Sequence, residues 1–210
     1  MYKEIRLKRG KEESLKRFHP WVFSGAILKI DEGVSEGDVV RVLANSGDFI
    51  AVGHYQEGSI AVRVLSFSDV KIDDDFWHSR LSSALKMRQA IGIADNPDNN
   101  TYRLVHGEGD NLPGLVVDIY GQTAVMQAHS IGMHLARVSI AEQLQKVMQG
   151  RIENVYPVWQ ALAGHKRRIP LAVVLPRPAR GAGTLIPSAQ RFVWAAKQPL
   201  GNAALGALFA

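Results

Sequence analysis

Apolar and polar positions alternate in short runs through the first 70 residues: Ile5 to Lys8, Gly25 to Ile30, Asp38 to Leu43, Phe49 to Tyr55 and Ile60 to Phe67. Each run predicts a strand, because side chains two positions apart share one face of a sheet. Gly33, Gly37, Asn45 to Gly47 and Gly58 separate the runs at the spacing of a small β-barrel or sandwich. Val40, Val42 and Ala44 share a face, whereas Ala61, Arg63 and Leu65 lie opposite Val62, Val64 and Ser66. The Ile60 strand is therefore expected to be half exposed through Arg63.

The period then lengthens. Trp77, Leu81, Ala84, Leu85 and Ile91 fall along one side of a helix over 73–93, with Asp73 to Asp75 at its positive end, and this helix is expected to join two domains. The polar loop Asn96 to Asn100 ends it. Tyr102 to Val105 and Leu115 to Ile119 flank a loop rich in glycine, with Asp110, Asn111 and Pro113, and so predict a hairpin. Thr123 to His129 follows as a strand, and Ile131, Leu135, Val138, Ala141, Leu144, Val147 and Met148 recur as in one amphipathic helix over 131–149. Residues 151–156 return as a strand. The fold class is α+β: an N-terminal β-barrel over 1–70, then a linker helix and small α+β domain over 73–156.

Beyond Tyr156 neither period is sustained. Residues 157–210 hold six of the nine prolines, twelve alanines and no acid, which predicts an irregular tail that packs poorly and carries no site. That composition suits an irregular extension or, in the reading we favour, a segment translated after a frameshift. The tail also explains the net charge of +5: residues 1–153 hold 18 basic against 20 acidic side chains, whereas 154–210 hold 7 basic and none acidic. Bulk charge thus says nothing about nucleic acid, and only local clusters can. Cysteine is absent, which excludes disulfides, thiolate metal sites and a thiolate nucleophile. No apolar run approaches the roughly 20 residues of a membrane helix, and the start is charged in both signs, so a cytoplasmic location without membrane contact is expected.

Lys8, Arg9, Lys11, Lys16, Arg17 and His19 stand just before Trp21 and Phe23, and Arg63 on the Ile60 strand is counted with them. Cations interleaved with aromatic rings suit single-stranded RNA, phosphates meeting the former and bases stacking on the latter. The competing reading makes Trp21 and Phe23 core residues and the charges a solvated skin. His106, Glu108 and Asp110 alternate as ligands on one extended face would, but a turn at Gly107 would break the alignment, so no metal is assigned. The glycines from Gly107 to Gly114 lead into a strand rather than a helix, which is the wrong context for a nucleotide loop, and Gly181 to Gly183 fares no better. Asp118 is expected on an exposed strand face. Ser24 lacks a nucleophile elbow, so no catalytic or cofactor-binding residue is assigned.

The segments HPWVFSGAI (19–27), GDVVRVLANSGDFIAVGHY (37–55) and YRLVHGEGDNLPGLVVDIYG (102–121) resemble the N-terminal part of bacterial S-adenosylmethionine-dependent large-subunit rRNA methyltransferases acting on carbon 5 of cytosine. The resemblance covers residues 1–156. It implies a PUA-like RNA-binding barrel over 1–70, a central domain over 73–156, ribosomal RNA as partner rather than DNA, and S-adenosylmethionine as the cofactor of the full-length family. The family's cofactor loop, acidic ribose-binding residue and D-P-P-like loop with its downstream cysteine have no counterpart here, so the chain itself is expected to hold no cofactor. The resemblance thus implies an RNA-binding portion without methyl transfer of its own. A nonfunctional remnant and a subunit completed in trans by a catalytic partner are the alternatives, and homodimer formation is left open.

Overall fold

The computed structural model of the protein describes residues 2–159 and 175–176. The first sheet is built from β1 (Lys3–Leu7), β2 (Trp21–Phe23), β3 (Ile27–Ile30), β4 (Val39–Leu43), β5 (Phe49–Tyr55) and β6 (Ile60–Ser66), in the spatial order β2-β6-β5-β4-β1-β3. Its neighbours are antiparallel except β1 and β4. Alternation fills one face with Ile5, Leu7, Val22, Val40, Val42, Ala51, Val62 and Val64, closed over by Leu15 of the short helix α1 (Glu13–Lys16). This α1 helix and the three-residue β2 are not marked by the hydrophobic period, being too short to show one.

β6 departs from the expectation of half exposure. Ala61, Val62, Val64, Leu65 and Ser66 are all buried and Arg63 is only half-buried, because Val62 and Val64 serve the first core while Leu65 packs into a second.

That second core lies under helix α2 (Asp74–Ala90) and the sheet formed by β7 (Thr101–His106), β8 (Leu115–Tyr120), β9 (Thr123–Ala128), β10 (Asn154–Trp159) and β11 (Leu175–Pro176). Asp73 caps α2 by accepting the Phe76 N–H at 3.2 Å, and Trp77, Leu81, Ala84 and Leu85 are buried as the period requires. Ile91 is not: it falls past the last turn and is exposed. The β7–β8 hairpin forms as expected. β10 runs parallel to β9, so the intervening helical segment is a crossover.

The single helix expected over 131–149 is two, α3 (Ile131–Leu135) and α4 (Arg137–Met148), and Leu135 and Val138 at the break are exposed. The break serves two surfaces. Gly132 of α3 sits so close to the first sheet that a Cβ there would lie 2.2 Å from the His54 ring, while α4 packs on α2 and β10. The return strand also runs on to Trp159, including Pro157. β11 pairs only with Asn154 and Val155, so among the described residues Pro157 has no neighbour on that side and its missing N–H costs no ladder bond there. The rest of the expected tail lies outside the described residues.

Candidate nucleic-acid interface

The two strand neighbours of β2's inner residue decide the site. Val22 points into the first core, which sends Trp21 and Phe23 to the opposite face of the sheet. Cross-strand register continues that face inward, pairing Trp21 with Arg63 and Arg63 with His54 across β2, β6 and β5. One end of this row is covered and the other is open. His54 is 4% exposed, under Trp77 at 6.1 Å between centroids and against Gly132, whereas Trp21 is only partly covered and Phe23 is 48% exposed.

At the open end three rings cluster. His19 and Trp21 meet edge to face at 5.7 Å, Trp21 and Phe23 at 6.4 Å, and the Trp21 backbone N–H donates to His19 Nδ1 at 3.2 Å. The indole N–H of Trp21 donates to Glu108 Oε1 at 2.9 Å, a contact spanning 87 positions. Glu108 stands on a short 3-10 turn, Gly107–Asp110, that begins and ends in left-handed backbone at Gly107 and Asn111. Asp110 anchors the turn, accepting the His106 N–H at 2.6 Å and pairing in a two-pronged fork with Arg88, with both side chains largely buried.

In the middle of the row, Arg63 donates to Gln56 Oε1 at 3.4 Å, and the same oxygen accepts the Ile131 N–H at the start of α3. Burial lowers the Arg63 guanidinium from its ordinary value, and the Glu108 charge works in the opposite direction. At the covered end burial and then the Arg63 charge push His54 down to about 4, and among the described residues its Nδ1 has no hydrogen-bond partner. Beside it a cleft of about 540 Å³ opens between the first sheet and helices α2, α3 and α4; Ser139 Oγ donates there to Asp74, and Asp73 is occupied in capping α2.

The remaining sequence candidates lie on the exposed rim. Lys8 donates to the Gly25 carbonyl at 2.9 Å, Lys16 pairs with Glu13 at 2.9 Å, and Arg17 donates to the Glu13 carbonyl at 3.3 Å. Arg9 and Lys11 are exposed on the turn between β1 and α1, and among the described residues no side-chain hydrogen bond joins either to the rings. The core reading of Trp21 and Phe23 therefore does not hold: neither ring belongs to a buried cluster.

His106, Glu108 and Asp110 do not converge. His106 lies near Arg103, Glu108 holds Trp21 and Asp110 holds Arg88, and among the described residues no cluster of acids and histidines suits a metal. Asp118 is buried rather than exposed, because β8 is a central strand and Arg103 on β7 covers the carboxylate with bonds of 2.8 and 3.1 Å. Glu108 and Gln56 are participants that the sequence does not point to: Gln56 meets Arg63 across the β5–β6 turn, and Glu108 reaches the row only through the packing of the second sheet's hairpin on the first.

Residues 5–67 match the model of a PUA-like domain. Over 142 residues the chain is 37% identical to "Ribosomal RNA large subunit methyltransferase I" of Erwinia tasmaniensis, covering 67% of this chain and 35% of that protein. The Shigella boydii serotype 4 protein of the same name is 38% identical over 141 residues, with 66% and 35% covered. The chain thus spans about a third of the length of these curated relatives and is homologous to their PUA-like N-terminal region. Among solved structures, "A putative sam-dependent methyltransferase from Streptococcus mutans" superposes with a TM-score of 0.67 at 17% identity, covering 84% of this chain and 44% of that one. Another, "a putative methyltransferase complexed with SAH", gives 0.67 at 16%, covering 84% and 43%. At these identities the likeness is one of fold. Among the described residues no helix is long and apolar enough to cross a membrane.

Proposed function

We propose that this chain grips unpaired ribosomal RNA in the cytoplasm, as the RNA-binding portion of an rRNA cytosine-C5 methyltransferase. In this reading residues 1–70 form the gripping domain and 73–156 brace it. Trp21 offers stacking surface beside His19 and Arg63, and Lys8, Arg9, Lys11, Lys16 and Arg17 supply phosphate contacts. The observation that carries the reading is the placement of Trp21 and Phe23 outside both cores while Val22 between them is buried. An aromatic pair left uncovered beside cations is costly in water and useful to a base.

Methyl transfer to carbon 5 of cytosine by thiolate addition at carbon 6 needs a cysteine, and these 210 residues contain none. That step is therefore assigned to a catalytic region distinct from the described residues, and S-adenosylmethionine binding is assigned with it because the methyl donor must meet the same carbon.

The test is a titration of the whole chain with 23S rRNA fragments at several salt concentrations. The affinity should fall linearly on a double-logarithmic plot, and replacing Lys8, Arg9 and Lys11 together by glutamine should flatten the slope by about 2, since each phosphate contact contributes roughly 0.7–0.9. Absence of binding at low salt, or a slope indifferent to these three residues, would refute the reading.

A further inference from the structure

We infer that Glu108 reads the Watson–Crick edge of an unpaired guanine held at the Trp21 end of the row, an assignment that rests on the RNA-binding reading above. Glu108 is exposed, yet it is held in place on both sides. Trp21 Nε1 donates to its Oε1 at 2.9 Å, and the turn carrying it is pinned two residues later by the Asp110–Arg88 fork. Its second oxygen accepts no hydrogen bond among the described residues. A carboxylate fixed beside an exposed ring cluster, with acceptor capacity to spare, is a poor device for phosphate, which it repels. For a base edge rich in N–H groups it is a good one.

The chemistry of the four bases then selects one. Guanine presents N1–H and N2–H side by side, two parallel donors that match the two oxygens of a carboxylate. Cytosine and adenine each place an amino donor next to a ring-nitrogen acceptor, and that acceptor faces the second oxygen unfavourably. Uracil offers a single N–H between two carbonyls. The oxygen already engaged by Trp21 retains a second lone pair, so the indole bond and a guanine bond are compatible. Phe23, 48% exposed and 6.4 Å from the Trp21 ring, adds apolar surface for the body of the base.

The experiment titrates the full chain with uridine-rich RNAs of about 12 nucleotides, a length within the usual single-strand site range, each carrying one central guanine, inosine, adenine, cytosine or uracil. The guanine strand should bind about tenfold tighter than the adenine, cytosine and uracil strands, as expected for a good bidentate base contact, and inosine, which lacks the 2-amino group, should lose most of that gain. Glu108→Gln should bring all five within about twofold of one another without weakening the uracil strand. Trp21→Phe keeps a ring and removes the indole N–H; it leaves the turn untouched and should shrink the preference in the same direction. Five strands bound equally well, or a guanine preference unchanged in both variants, overturns the assignment while leaving RNA binding intact. Failure of every strand to bind would instead sink the RNA-binding reading, and this assignment with it.

Discussion

His54 and Trp21 occupy two ends of one cross-strand row that spans three strands, yet one is sealed and the other open. Both are aromatic, both carry a ring N–H or ring nitrogen, and both flank Arg63. What differs is the neighbour from the second half of the chain. At His54 that neighbour is Gly132, whose lack of a side chain lets α3 close directly onto the ring, with Trp77 alongside. At Trp21 it is the tip of the β7–β8 hairpin, which reaches the indole through the Glu108 carboxylate and leaves Trp21 only partly covered. A sheet face is made into core or binding surface by what is laid on it. The residue types along the row do not decide the matter.

Four perturbations separate the two ends. The largest effect is expected from Arg88→Ala, which strands Asp110 as an unpaired, largely buried carboxylate and loosens the turn that carries Glu108 to the open end. A loss of about 3–5 kcal/mol in urea unfolding is expected, and a loss below about 1 kcal/mol would show that the turn is held by other contacts.

Acid comes next and acts on the covered end. Because the folded chain holds His54 down to about 4 against an ordinary 6.5, the unfolded chain takes up a proton first as the pH falls. Its contribution to stability is intact above about pH 6.5 and is lost between there and pH 4, by about 3 kcal/mol at most. His54→Leu should flatten the unfolding midpoint across that window, and an equally steep profile in the variant would assign the acid sensitivity elsewhere.

Gly132→Ala should cost about 1–3 kcal/mol, since the new Cβ would meet the His54 ring at 2.2 Å and force α3 away from the sheet. RNA affinity should be little changed. The mirror image is Trp21→Ala, for which the thermal midpoint should barely move while RNA binding weakens by about 1–3 kcal/mol, the range for losing one stacked base. If instead Trp21→Ala unfolds the protein and leaves RNA binding unaltered, the contrast between the two ends collapses.

Much of the fold could be read from periodicity. The strands at 38–43, 49–55 and 60–67, the helix starting at Asp73, the hairpin around Gly107 and the strand at Thr123 all appear within a residue or two of where alternation or helical spacing puts them. The failures have a shared cause. α1 and β2 span four and three residues, below the length at which a period can be counted, and the break at Ala136 answers to two surfaces at once rather than to the helix's own pattern. Asp118 looked like a surface acid because its partner, Arg103, lies across a hairpin.

The candidate site was legible in part. The ring and cation run from Lys8 to Phe23 is contiguous in the chain, so its chemistry shows without coordinates, whereas the side chains of the H-x-E-x-D run turn to different partners, Glu108 to Trp21 and Asp110 to Arg88. Glu108 could not be joined to Trp21 in the same way, since 87 positions separate them.

By itself, then, the sequence determined the direction of each side chain relative to its own strand or helix, because alternation and helical spacing are local consequences of backbone geometry. It also determined that no thiolate chemistry resides in the chain. The tertiary structure alone decided which of those directions lead into protein and which into water. Burial depends on the close approach of segments remote in sequence, and on whether a residue as small as Gly132 or as long as Glu108 stands at the point of contact.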